Sequence, residues 1–157
     1  IQLIKKNEGC GIVYLRSRKN VEKYSKELNK NGISADYYHA GLINEDRKKV
    51  EKEWMDNYTR VVVSTNAFGM GIDKPDVRFV AHMDLPDSLE AYFQEAGRAG
   101  RNGEKAYAVI LKNKGDEAIV RNQFLSVLPE VDFIKTVYRK LNTYFQISYG
   151  EGDFTRL

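Results

Sequence analysis

Two segments of this 157-residue chain combine side chains in ways that could do chemistry. One is Gln94-Glu95-Ala96-Gly97-Arg98-Ala99-Gly100-Arg101-Asn102-Gly103, at the end of an expected helix. Arg98 and Arg101 are three residues apart and share a face wherever the turn stays helical. Their small neighbours Ala96, Gly97, Ala99 and Gly100 leave both guanidinium groups unshielded. Two forked cations over a glycine-rich turn suit an oxyanion or a phosphate. The same arginines could also do no more than complement a helix C-terminal dipole, worth ~0.3–1 kcal/mol each. The other segment runs Ser64-Thr65-Asn66-Ala67-Phe68-Gly69-Met70-Gly71-Ile72-Asp73-Lys74-Pro75. Its hydroxyls, with Gly69 and Gly71, would let a backbone approach phosphate closely. It also reads as a tight polar turn, and spacing alone leaves both alternatives open.

The remaining reactive groups are sparse. His39 and His82 have no carboxylate or cysteine partner at ligand spacing, so no metal site is expected. Cys10 is the only cysteine, which excludes a disulfide framework and any cysteine-cluster zinc site. It reads as a small apolar residue beginning a strand. Trp54 and Tyr24 read as core or half-buried rather than as base-stacking platforms.

The elements that must position these segments alternate along the chain. Strands are expected at Gly11–Leu15, Ser34–Tyr38, Arg60–Ser64, Phe79–Met83 and Tyr107–Leu111. Helices are expected over 18–30, stopped by Asn31-Gly32; over about 44–56, capped by Asn44; and from Ser88 to about Gly97. Alternation of this kind implies α/β architecture, a five- or six-stranded, mainly parallel sheet with Val61–Ser64 among its central strands. Ligands of such sheets gather at the carboxyl ends of strands, where both unusual segments are expected. After the polar break Lys112-Asn113-Lys114-Gly115, residues 113–157 read as an appendage or the start of a further domain. Helices are expected there at about 116–127 and 131–143, with Phe133, Tyr138, Tyr144, Phe145 and Tyr149 recurring.

Composition narrows the class. Hydrophobic residues make up 42% and charged residues 30%, a globular balance. No apolar run approaches the ~20 residues needed to span a bilayer, so no membrane partner is expected. No signal peptide is read at the start, a cytoplasmic setting is the default, and a start at Ile1 rather than Met fits a fragment. Net charge is only +3, with 25 basic against 22 acidic residues. A nucleic-acid role must therefore rest on particular residues rather than on bulk charge.

Taken together and in this order, the two segments resemble motifs V and VI of superfamily 2 helicases. The run from Ala67 to Val80, with the Gln94-Glu95 opening of the second segment, is similar to the RecQ family of ATP-dependent DNA helicases. Tyr14 to Arg18 resembles motif IV, and Tyr38-His39-Ala40-Gly41-Leu42 the segment after it. The resemblance covers about residues 9–112 and implies a RecA-like three-layer lobe, the second of the two in the motor. The first lobe's P-loop is absent, since no Gly-Lys pair occurs. Asp116-Glu117-Ala118-Ile119 superficially resembles the family's metal-binding Asp-Glu-Ala-His. It follows motif VI and ends in Ile, and reads as the acidic first turn of a helix.

The resemblance implies ATP with Mg2+ held mainly by the missing first lobe, with Arg98 and Arg101 reaching across as arginine fingers. It further implies that Asp73 touches the ribose, that Gly71 lines the nucleotide site and that Gln94 senses nucleotide. Ser17, Arg18, Ser64 and Thr65 would meet the phosphate backbone of single-stranded or forked DNA. The four-cysteine zinc module usual after this lobe has no ligands here, so a zinc-less relative is expected. Its setting would be nucleoid-associated if bacterial. An RNA helicase is the rival within the enzyme class, although RNA-handling relatives usually begin motif VI with His-Arg. A non-catalytic nucleic-acid-binding or scaffold module is the rival outside it.

Overall fold

The computed structural model describes residues 1–69, 71–122 and 128–145. Its described elements run α1 (Gln2–Lys6), β1 (Cys10–Tyr14), α2 (Arg18–Lys30), β2 (Ala35–Tyr38), α3 (Asn44–Met55) and β3 (Val61–Ser64). They continue through β4 (Val77–His82), α4 (Leu89–Ala96), β5 (Tyr107–Ile110), α5 (Asp116–Val120) and α6 (Val131–Phe145). All five strands are parallel, in the order β2-β3-β1-β4-β5. β3 is flanked by β1 and β2, as expected for an internal strand.

Consecutive valines in β3 point to opposite faces, so one strand feeds two cores. Val61 and Val63 pack with Val13, Val21, Leu28 and Phe79, which seats α2 on one face. Val62 packs with Ile12, Val80, Trp54 and Phe68, which seats α3 on the other. Side chains buried to this depth stabilise by roughly 1.5–3 kcal/mol each. Trp54 and Cys10 are buried, and Tyr24 lies half-buried against the first core.

The structure corrects several boundaries. Asn44 does not cap α3: the cap residue is Ile43, which offers no side-chain hydrogen bond. Asn44 is already helical, and Glu45 and Asp46 supply the favourable charge of the first turn instead. Ser88 does cap α4, its hydroxyl accepting from the Ala91 N–H at 3.1 Å. α1 had no counterpart in the sequence reading, because five residues carry too little periodicity. It is held by buried Ile4 and by Arg60, which donates to the Ile4 carbonyl at 2.7 Å and also to that of Asn7. β5 is an edge strand with Tyr107 and Ile110 exposed, unlike the doubly buried strands beside it.

The chain divides into two compact units, Ile1–Asp116 and Glu117–Leu157. Asp116 opens α5, and its carboxylate accepts from the Asn113 N–H at 2.6 Å. In the second unit, α6 carries Phe133, Tyr138 and Tyr144. Residues 123–127 of the expected helix, and Tyr149, lie outside the described residues.

Candidate functional site: an arginine turn against a glycine-rich loop

The segment after β3 leaves the carboxyl edge of the sheet and returns to the amino edge, where β4 begins. It is pinned from beneath at two points. Phe68 is buried between Tyr38 and Trp54, with ring centroids 4.9 and 5.3 Å away, both edge-on. The Tyr14 hydroxyl donates to the Phe68 carbonyl at 3.2 Å. Lys74 is buried as well, and its Nζ donates to the Met55 carbonyl at the end of α3 and pairs with Asp76, both at 3.1 Å. That ammonium also lies 5.5 Å from the Trp54 ring centroid.

The arginine turn is sewn to the same place by backbone. The Gly100 N–H donates to the Val77 carbonyl at 2.9 Å and the Asn102 N–H to that of Pro75 at 3.1 Å. Val77 is the first residue of β4, aligned with Cys10 at the start of β1. The backbone of the turn therefore lies at the amino end of β4, on the flank covered by α3, while the Arg98 side chain reaches back to the Gly69 carbonyl and the Tyr14 phenol at the end of β1. The segment after β3 does start from the carboxyl edge as expected, whereas the turn's backbone reaches the other end of β4. A helix following β4 must run back along the sheet, so its end and the turn after it reach the opposite edge.

Against this loop the two arginines behave differently. Arg98 turns inward, and its Nη1 donates to the Gly69 carbonyl at 2.5 Å. Its Nε is buried without a partner among the described residues. Gly69 is required there: its φ is +114°, and an added Cβ would lie 2.3 Å from the Arg98 guanidinium carbon. Arg101 turns outward, with 36% of its side chain exposed, and pairs with Asp73 at 2.8 Å. It also donates to the carbonyls of Gly97 and Ile72 at 3.3 and 3.5 Å. Gly71, at φ +77°, has open space around it, and Gln94 is exposed one turn ahead of Arg98.

The structure thus gathers Arg98, Arg101, Gly71 and Asp73. It places the four expected DNA-contacting residues elsewhere, at the carboxyl edge. There Ser17 caps α2 and Arg18 opens it, both exposed. Ser64 is fully buried, and its hydroxyl donates to the Tyr38 carbonyl at 2.8 Å. Thr65 is 8% exposed, its hydroxyl oxygen accepting from the Ala67 N–H at 3.4 Å.

A buried polar group behind the arginine turn escaped the sequence reading. His82, 1% exposed, lies 2.8 Å from the Glu95 carboxylate through Nε2, and the ring stacks on Tyr14 at 5.2 Å. Burial pushes the Tyr14 phenol well above its ordinary range, with Arg98 opposing the rise and Glu95 adding to it. Only strand register could have revealed this group, since Tyr14 and His82 are partners across β1 and β4.

Residues 1–103 match the family model described as "Helicase conserved C-terminal domain". The chain belongs to that family. It is 46% identical over 110 residues to mouse "ATP-dependent DNA helicase Q5", covering 70% of this chain and 11% of that protein. It is 39% identical over 165 residues to the Bacillus subtilis "Probable ATP-dependent DNA helicase RecS", covering 98% and 33%. The RecQ resemblance therefore extends over most of the chain, which itself spans about a tenth to a third of these relatives. In fold, it superposes on the Escherichia coli DEAD-box protein SrmB, solved with regulator of ribonuclease activity A. That match has a TM-score of 0.68 at 28% identity, over 82% of this chain and 76% of that one. The lobe is RecA-like. No helix among the described residues of this helicase domain is long and apolar enough to cross a membrane.

Proposed function

We propose that this domain is the second motor lobe of a RecQ-like ATP-dependent DNA helicase, completing a nucleotide site held mainly by the first lobe. The lobe is taken as residues 1–112, with 113–157 an appendage or the start of a further domain. The observation that carries the reading is the packing of Arg98 and Arg101 on the Gly69–Asp73 loop, with Arg101 still half-exposed. Two guanidinium groups on one turn, one with an unpartnered buried Nε, fit an oxyanion.

When bound, ATP with Mg2+ supplies the transferable phosphoryl group. Arg101 is the finger: it exchanges the Asp73 carboxylate for the γ-phosphate oxygens and stabilises the negative charge that spreads over them. Asp73, released from that pair, is free to accept from a ribose hydroxyl. Arg98 holds the glycine-rich loop in shape while Gln94, on the same helix, reads the nucleotide state. At the carboxyl edge, Ser17 and Arg18 meet a DNA phosphate backbone. Ser64 and Thr65 act there through the loop shape their buried hydroxyls fix.

The sequence relatives at 39–46% identity are named as DNA helicases, which favours DNA over RNA. The test is Arg101→Ala in the full-length protein, assayed for DNA-stimulated ATP hydrolysis and for ATP affinity. Hydrolysis should collapse while affinity changes modestly. Wild-type turnover in both Arg98→Ala and Arg101→Ala would leave the arginines as helix-end decoration and favour a non-catalytic module.

A further inference from the structure

The molecule carries a one-sided cationic face that the nucleotide site does not use. In α2, Lys19, Lys23, Lys26 and Lys30 recur at intervals of four, three and four residues. At 100° per residue they fall within about 60° of one another, opposite Val21 and Leu28, which are buried in the core. All four are exposed, and none is in an ion pair among the described residues. Two acids flank the stripe, Glu22, which lies 3.2 Å from His39, and Glu27, which accepts from Asn31 at 3.2 Å; against Arg18 and the four lysines they leave α2 with an excess of three positive charges. α1 packs on the same sheet face through Ile4 and adds exposed Lys5 and Lys6. The outer face of α3, by contrast, mixes Glu45, Asp46 and Glu53 with its lysines and pairs Lys49 with Glu53 at 3.9 Å. In a chain of net charge only +3, so uneven a distribution concentrates positive potential on one flank.

We propose that this lysine stripe is a second DNA-contacting surface, taking the phosphate backbone of a duplex arm along the flank of the lobe. The proposal rests on the reading of the domain as part of a DNA helicase and deepens it. Three observations select the partner. The stripe begins beside Ser17 and Arg18 at the carboxyl edge, so it continues from the proposed strand contact. It runs straight for about 16 Å, at 1.5 Å per residue. That length is about half a turn of duplex at ~34 Å per turn, and a duplex is stiff enough to present its backbone to the stripe without being ordered first. No aromatic side chain is exposed along α2, so the stacking platform that single strands use is missing. A membrane surface is disfavoured because the apolar side of α2 is buried in the protein core.

The test replaces all four lysines by glutamine in the full-length protein, with the four Lys→Arg substitutions as a charge-preserving control. Affinity is measured over a salt series for a blunt DNA duplex, a single strand of equal length and anionic phospholipid vesicles. Duplex affinity at low salt should fall roughly 10- to 100-fold, and the log–log salt slope should shrink by up to about 0.9 per lysine. Single-strand affinity should change less than about twofold, and the arginine version should bind duplex like wild type. Unchanged duplex affinity and slope overturns the proposal, as does equal loss on the single strand, failure of the arginine control, or loss confined to vesicles. Full ATP turnover by Arg101→Ala, with the duplex loss still present, sinks the motor reading and leaves the stripe standing.

Discussion

The loop after β3 and the turn after α4 meet at one site but are held by opposite means. The loop is anchored by side chains driven downward: Phe68 into the aromatic core and Lys74 onto the end of α3. The turn is anchored by its backbone, through Gly100 and Asn102, which leaves its arginine side chains unburdened by structural duty to different degrees. Arg98 is committed to the loop, whereas Arg101 is held by a solvent-facing carboxylate and two longer bonds to the Gly97 and Ile72 carbonyls. An ion pair so exposed contributes little, about 0–1 kcal/mol, and is readily exchanged for a stronger anion. On the proposed reading, a rigid floor under a releasable cation suits a residue that must act only when a partner lobe closes.

The largest effect should separate the two arginines. Arg101→Ala should lower DNA-stimulated ATP hydrolysis in the full-length protein by ~10³–10⁵, the range for a delivered finger. Arg98→Ala should lower it less, because its loss frees the loop rather than removing the charge-stabilising group. Steady-state turnover of both variants checks the ranking, and equal losses would erase the distinction between clamp and finger.

Phe68→Ala tests the loop's floor. Removing a fully buried ring between Tyr38 and Trp54 should destabilise by about 3–5 kcal/mol, read from denaturant midpoints. A smaller change is expected for Gly69→Ala, where the positive φ alone costs of order 1–3 kcal/mol. The added methyl should also dislodge Arg98, so turnover should fall along with stability. Loss of stability without loss of turnover would show that the Arg98–Gly69 contact has no bearing on the site.

The smallest effect concerns Cys10, under the loop's return to β4. Burial raises the Cys10 thiol above its ordinary value, and a raised value means less thiolate at any given pH. Alkylation of the folded protein at pH 8 should therefore be much slower than in denaturant, with reaction quenched and followed by mass. Equal rates would show that the floor opens freely.

Much of this was legible in sequence. The helix expected over 18–30 and the strand expected at Arg60–Ser64 rest on local patterns, and each became the element it implied. The wording from Ala67 to Val80 and from Gln94 to Gly103 pointed to the helicase C-terminal family that residues 1–103 match. What local pattern does not carry was missed: α1 exists through Arg60, more than fifty residues away, and Asn44 lost the cap to Ile43.

The sequence by itself thus determined the strand-and-helix alternation, the two motifs and the family, because periodicity and residue type are properties of neighbours along the chain. Tertiary structure alone decided that the arginine turn is tied by backbone to the amino end of β4, on the α3 flank. It also decided that Ser64 is buried, that Arg98 faces inward and Arg101 outward, and that His82 meets Glu95 behind them. Those outcomes depend on strand register and on which face each helix covers. Both are fixed only when distant segments pack, and a one-residue shift would have reversed them.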